Sequence, residues 1–168
     1  MTEWLKQAVR DVERDPETVH RLFPQATRRG GAGARAALLK ALVRAAPEPL
    51  ERVSTLYWQG DAGERREILE ALGDLGLGAG ALPLVRDALR ANDPRLVAAA
   101  LGPYGSTWLD DHSFRQGVLK CVFMSVPLAS VAGLDHRLDA ELLRMLAGYA
   151  AERRAAGRPV PSDVLERL

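Results

Sequence analysis

Cysteine is nearly missing from this chain. Cys121 stands alone among 168 residues, so neither an internal disulfide nor a cysteine-rich zinc site can form, and the composition is compatible with a reducing compartment. Lysine is scarce as well: it occurs only at Lys6, Lys40 and Lys120, against twenty arginines. With abundant alanine, that preference reads as the coding bias of a GC-rich genome. An excess of either charge is also lacking. Lys+Arg 23 against Asp+Glu 22 leaves a net charge of +1, too little to draw in nucleic acid or an anionic membrane surface through a global field. No run of about 18 apolar residues occurs, which excludes a helical membrane span. Met1-Thr2-Glu3-Trp4-Leu5-Lys6 lacks the basic stretch and following apolar run of a secretory signal, so a cytoplasmic protein is expected. Strand signals are absent, because β-branched residues nowhere alternate with polar ones over a useful length.

What remains is helical. A mixture of 47% hydrophobic and 27% charged residues is enough to close one sizeable core, and a single all-α domain over 1–168 is the expectation. Trp4, Leu5, Ala8, Val9 and Val12 recur at three- and four-residue spacing behind Thr2, a capping residue, and form the stripe of an amphipathic helix. Asp15-Pro16-Glu17 has the order a helix start prefers, and Asp93-Pro94 repeats it. Asp61 with Glu64 fits a variant of the capping box. Gly30-Gly31, Pro47, Gly60, Gly76 through Gly80, Asn92, Gly102-Pro103 and Pro127 mark stops.

Laid over one another, the helix starts repeat weakly. Leu38-Leu39-Lys40-Ala41-Leu42 matches Ile68-Leu69-Glu70-Ala71-Leu72 thirty positions on, and Val97-Ala98-Ala99-Ala100-Leu101 follows twenty-nine further. Each is followed by a second helix, the last around Phe114. Helix pairs at a fixed period predict stacked hairpins in a HEAT-like α-α superhelix, since one hairpin cannot bury its own apolar face. The alternative is an irregular helical bundle whose Leu/Ala-rich helices look alike by composition.

The spacing predicts a helix from Phe114 to Val126 with Phe114, Val118, Cys121, Val122 and Ser125 on one face and Leu119 and Phe123 on the other. Such a helix is apolar all round and is expected to be buried as the central one. Lys120 is out of place there, because a lysine is seldom fully buried without a partner. Either it pairs internally with Asp110, Asp111, Asp135 or Asp139, or snorkels to solvent, or it lies at the floor of a groove holding an acidic or carbonyl-bearing small molecule. Arg115, Asp110, Asp111 and Asp135 join Lys120 as candidate ligand-binding residues. Cys121 and His112, nine residues apart, would point in opposite directions on one helix, so a nucleophile-base dyad is not expected. Cys121 is read as a core thiol with a raised pKa. No recognised metal-ligand spacing links Asp110, Asp111, His112, Asp135 and His136, and neither a metal nor another cofactor is expected. The Gly76–Gly80 run follows a helix rather than a strand and is read as a turn, not a phosphate loop. Tyr57, Trp58, Tyr104 and Trp108 sit beside Gly or Pro stops, where they either pack singly or line an apolar groove. Residues 158–168 read as an extended, Pro-containing tail ending in a short helix from Asp163 to Leu168 capped by Ser162.

Gly117-Val118-Leu119-Lys120-Cys121-Val122-Phe123-Met124-Ser125-Val126-Pro127-Leu128, then Val131-Ala132-Gly133-Leu134-Asp135, then Tyr149 through Pro161, resembles the C-terminal signature of the EboA family. Asn92 through Tyr104 resembles it too. The resemblance spans about Asp93 to Val164, and ahead of it only helix content and the Leu/Ala pattern agree. It implies a bacterial cytoplasmic protein encoded in an operon tied to the trafficking of secondary-metabolite precursors toward the periplasm. A non-enzymatic adaptor or small-molecule-binding protein, with operon-encoded proteins or a metabolite as partner, is the reading it favours. The alternative is an enzyme acting on a small acidic or carbonyl metabolite through Lys120 and an aspartate. Signature positions Lys120, Cys121, Pro127, Gly133 and Asp135 carry no established role, and Ser125 departs from an expected glycine, a change that bears on close packing.

Overall fold

The computed structural model describes residues 1–168 and contains helices and turns but no strand, as the absence of alternating patterns requires. The chain forms two compact units, Met1–Leu84 and Val85–Leu168. No helix is long and apolar enough to cross a membrane.

In the first unit, α1 (Glu3–Arg14) starts as its sequence predicts: the Thr2 hydroxyl accepts from the Leu5 amide at 3.2 Å, and Leu5, Ala8 and Val12 are buried. Asp15 does cap, but its carboxylate accepts from the Glu17 amide to open a single 3₁₀ turn, Pro16–Thr18, that leads into α2 (Val19–Leu22). After α3 (Ala26–Gly30) come α4 (Ala34–Ala45), α5 (Pro49–Gln59) and α6 (Ala62–Ala71). α1 packs along α4, and α4, α5 and α6 pack on one another. The capping box at α6 is complete in both halves: the Glu64 amide donates to Asp61 at 2.8 Å, and the Asp61 amide donates to Glu64 at 2.9 Å. Between α4 and α6 lies an ion cluster that hydropathy does not reveal. Arg35 is 8% exposed and donates to Glu67 at 2.8 Å, to Glu64 at 3.5 Å and to the Phe23 carbonyl at 3.2 Å. Three acceptors around one planar guanidinium are what a charge needs in order to be kept this far from water.

The glycine run lies in the turns between α6 and α7 (Leu82–Arg90); Gly76 and Gly78 adopt positive φ of +66° and +58° there. It is an inter-helix turn, as expected from its place after a helix.

The second unit holds the end of α7, then α8 (Pro94–Ala100), α9 (Pro103–Trp108), α10 (Asp111–Phe123), α11 (Leu134–Arg137), α12 (Ala140–Ala155) and α13 (Ser162–Leu165). Asp93 caps α8; bonded to the side chain and amide of Arg95, its carboxyl is held down to about 2. Gly102-Pro103 was expected as a stop, but Pro103 also takes the first position of α9, which separates α8 from α10 and interrupts the third predicted helix pair. α8, α12 and the turn at Leu128–Ser130 pack against α10, and α13 against α12 and that turn. Two boundaries differ from expectation. α10 begins three residues before Phe114 and stops at Phe123, because Ser125 turns left-handed (φ +58°) and the Val126 amide donates back to the Cys121 carbonyl at 2.8 Å. The Ser125 amide donates to Val122 at 3.2 Å, which completes a Schellman stop. At the C-terminus, α13 begins at Ser162 without a side-chain cap. The helix ends at Leu165 where Leu168 was expected, and Asp163, its second residue, accepts from the distant Leu128 amide at 2.9 Å.

Candidate functional site: a groove beside Lys120

α10 is two-sided rather than buried all round. Phe114, Val118, Cys121 and Val122 are buried, but Leu119 is half-buried and Phe123 is 61% exposed. The face expected to be core instead opens onto a groove of about 540 Å³ between α7 and α10. One stripe of each helix builds it: Arg86, Leu89 and Arg90 from α7, and His112, Gln116, Leu119, Lys120 and Phe123 from α10, with Ser113 and Gly117 completing the wall. The spacings i, i+3, i+4 on α7 and i, i+4, i+7, i+8, i+11 on α10 keep each set on one helix face. The floor is close-packed at Gly117, where an added Cβ would stand 3.2 Å from Leu89 and 3.0 Å from Leu101.

Lys120 lines this groove, and its ammonium donates to the Leu89 carbonyl at 2.7 Å. That carbonyl lies in the last turn of α7, where a cation offsets the helix dipole. None of the four expected aspartates is its partner. Asp110 caps α10 by accepting from the Ser113 amide at 2.8 Å, and the Ser113 amide and hydroxyl hold its carboxyl below the usual range; Arg86 lies 3.6 Å away. Asp111 accepts from Arg137 at 2.8 Å. Asp135 pairs with Arg167. Asp139 caps α12 and is gripped by Arg115 through Nε at 3.0 and 3.1 Å, a contact that lowers its pKa and raises that of Arg115. Arg115 thus serves the α10–α12 packing and does not line the groove.

The other candidates disperse. Tyr57 is buried, with Trp58 edge-on at 5.1 Å and 48% exposed; Tyr104 is buried, with Trp108 at 6.3 Å and 42% exposed. None of the four lines the groove. Cys121 is fully buried, and desolvation pushes its thiol up to about 11 from an ordinary 9.0. Gly133 has φ +66°, and a Cβ there would stand 2.2 Å from the Ser106 hydroxyl, so only glycine fits this signature position. Pro127 opens the turn before Val131. Asp110, Asp111, His112, Asp135 and His136 form no group of three that could hold a metal ion.

Four residues of the groove escaped sequence reasoning: Ser113, Gln116 and the two arginines Arg86 and Arg90. The i, i+4 spacing of the arginines on a helix that also carries Leu89 was the available signal, and it is a weak one without knowing which helix lies opposite. Arg137 escaped as well. It stacks over Phe114 at 4.1 Å and donates to the Ser106 and Leu109 carbonyls at 2.9 Å, tying α9 to α10.

No curated protein and no solved structure gives a significant match to the chain. A family model does: that described as metabolite traffic protein EboA matches residues 2–168, extending the likeness seen from Asp93 onward across the first unit as well. The chain belongs to the EboA family.

Proposed function

We propose that this protein works in metabolite traffic as a non-enzymatic binding protein, holding a small molecule in the α7–α10 groove. In this reading it acts in the cytoplasm, on a route that carries secondary-metabolite precursors toward the periplasm, and passes its cargo to operon-encoded partners. The observation that carries the proposal is the groove beside Lys120, within the range of small-ligand sites, together with an ammonium whose partner is a backbone carbonyl. A proton-transfer role for Lys120 would need a carboxylate within reach; Asp111, Asp135 and Asp139 are each engaged with an arginine instead, and Asp110 is held by the Ser113 amide and hydroxyl.

The test is to incubate the full chain with candidate precursors and to follow binding by native mass spectrometry and conversion by chromatography. Binding without conversion is expected. Turnover that disappears in Lys120→Met, with the helical circular dichroism intact, would overturn the proposal in favour of an enzyme.

A further inference from the structure

The groove combines uncompensated positive charge with exposed hydrocarbon. Three cations line it, Arg86, Arg90 and Lys120, and no aspartate or glutamate does. Their own pairings are weak. Arg86 reaches Asp110 only at 3.6 Å and Arg90 reaches Asp87 only at 3.4 Å, with the two arginine side chains 53% and 74% exposed. Contacts this long and this wet hold little energy and are readily exchanged for a better anion. Lys120 bonds to a neutral carbonyl, so its charge meets no opposite charge at all.

The rest of the unit shows the contrast. Arg115 grips Asp139 with two nitrogens, Arg137 serves three acceptors, and Arg144 forks onto Glu141 at 2.7 and 2.8 Å. These three are held by two or more short bonds each, whereas the arginines of the groove make one long contact each.

Beside the cations run Leu89, Leu119 and Phe123. Phe123 is the last residue of α10 and leaves most of its ring in solvent, edge-on to Tyr149 at 5.1 Å. From His112 to Phe123 the α10 stripe runs about 16 Å at the rise of an α-helix. That is room for a flat or extended apolar body with one charged end.

We infer that this groove selects small amphipathic anions, with the acidic group taken by Lys120, Arg86 and Arg90 and the apolar body laid over Leu119 and Phe123. The inference rests on the small-molecule-binding reading above and adds the chemical class. Lys120 has two productive positions. Without ligand it neutralises the end of α7, and with ligand it is shared with or transferred to the anion, so that the ammonium meets an opposite charge in place of a neutral carbonyl.

Three probes with the same ring system and different charge separate the possibilities: 2-naphthoate, 2-naphthol and 2-naphthylmethylammonium. Each is titrated into the ¹⁵N-labelled full chain, and the amides of Leu89, Gly117 and Leu119 are followed by NMR. The expected result is that 2-naphthoate shifts these amides and binds at least about tenfold more tightly than the ammonium probe. Lys120→Met should weaken 2-naphthoate about tenfold, the loss of one charge-assisted contact, and the exposed pair Arg86→Gln with Arg90→Gln, which removes two cations, should weaken it by at least about tenfold. The arginine pair keeps the test decisive if Lys120→Met fails to fold. Equal or tighter binding of the neutral or cationic probe at these amides overturns the anion selectivity while leaving small-molecule binding standing. Silence of these amides to all three probes overturns both.

Discussion

The Lys120 ammonium donates to the Leu89 carbonyl at 2.7 Å, so the one lysine of α10 closes the end of α7 instead of answering an aspartate. Replacing it with methionine keeps the apolar stem and removes the charge. Lys120→Met is expected to cost about 1–2 kcal/mol, the worth of a charged hydrogen bond to a helix end. Urea unfolding followed by circular dichroism checks this; an unchanged midpoint would mean that the ammonium is spent in solvent.

Ser125 is the only non-glycine residue with positive φ, and it sits at the left-handed position of the stop that ends α10. The glycine expected there serves backbone conformation rather than close packing. Ser125→Gly should stabilise the protein by about 0.5–1 kcal/mol, since relief of left-handed strain exceeds the extra chain entropy that glycine loses on folding. Thermal melting reads this directly, and Ser125→Ala, which retains the strain, should not share the gain.

Arg35 and Glu64 are buried together, and Glu67 with them is only 19% exposed at its side chain. Arg35→Met would leave two carboxylates facing each other and the Phe23 carbonyl without this donor. A loss of about 3–5 kcal/mol is expected, the size seen when one member of a buried ion cluster is removed. By contrast Arg44→Ala, which breaks the exposed pair with Glu13, should change stability by no more than about 1 kcal/mol. Parallel chemical denaturation of the two variants tests the ordering as well as the sizes.

Burial pushes the Cys121 thiol up to about 11, against 9.0 for an ordinary thiol. Its contribution is therefore complete below about pH 9 and is lost as pH rises toward 11, because the unfolded chain releases its proton first. Two results should follow. Stability declines through that alkaline window less in Cys121→Ala than in the natural chain, and Ellman's reagent near neutral pH labels Cys121 only at the rate of unfolding. Rapid labelling of the folded protein would contradict the burial.

Helix content and the starts of α1, α6 and α8 were legible along the chain, because the interactions that set them are local. Thr2, Asp61 and Asp93 cap amides two or three residues away, and Leu5, Ala8 and Val12 recur at the helical period whatever lies across from them. The stop at Ser125 is local too, yet it was passed over because a left-handed serine is rare and nothing in the residue type announces it. The family signature was legible only from Asp93 onward, where distinctive turns and caps carry it; the Leu/Ala pattern of the first unit is shared by too many helices to identify one.

Partnership was not legible, because it depends on which surfaces meet. Lys120 had four aspartates within plausible reach along the chain, and each of them lies against an arginine: Arg86, Arg137 and Arg167, which hydropathy and spacing leave anonymous, and Arg115, which was expected beside Lys120 as a ligand contact. The apolar face of Leu119 and Phe123 reads as core on a helical wheel, yet packing leaves it on a groove, since a wheel counts apolar residues but not the neighbours available to cover them. Charge pairing and cavity formation arise from contacts between residues far apart along the chain, Lys120 with Leu89 and Arg86 with Asp110 among them. Local periodicity carries no information about such pairs; packing alone sets them.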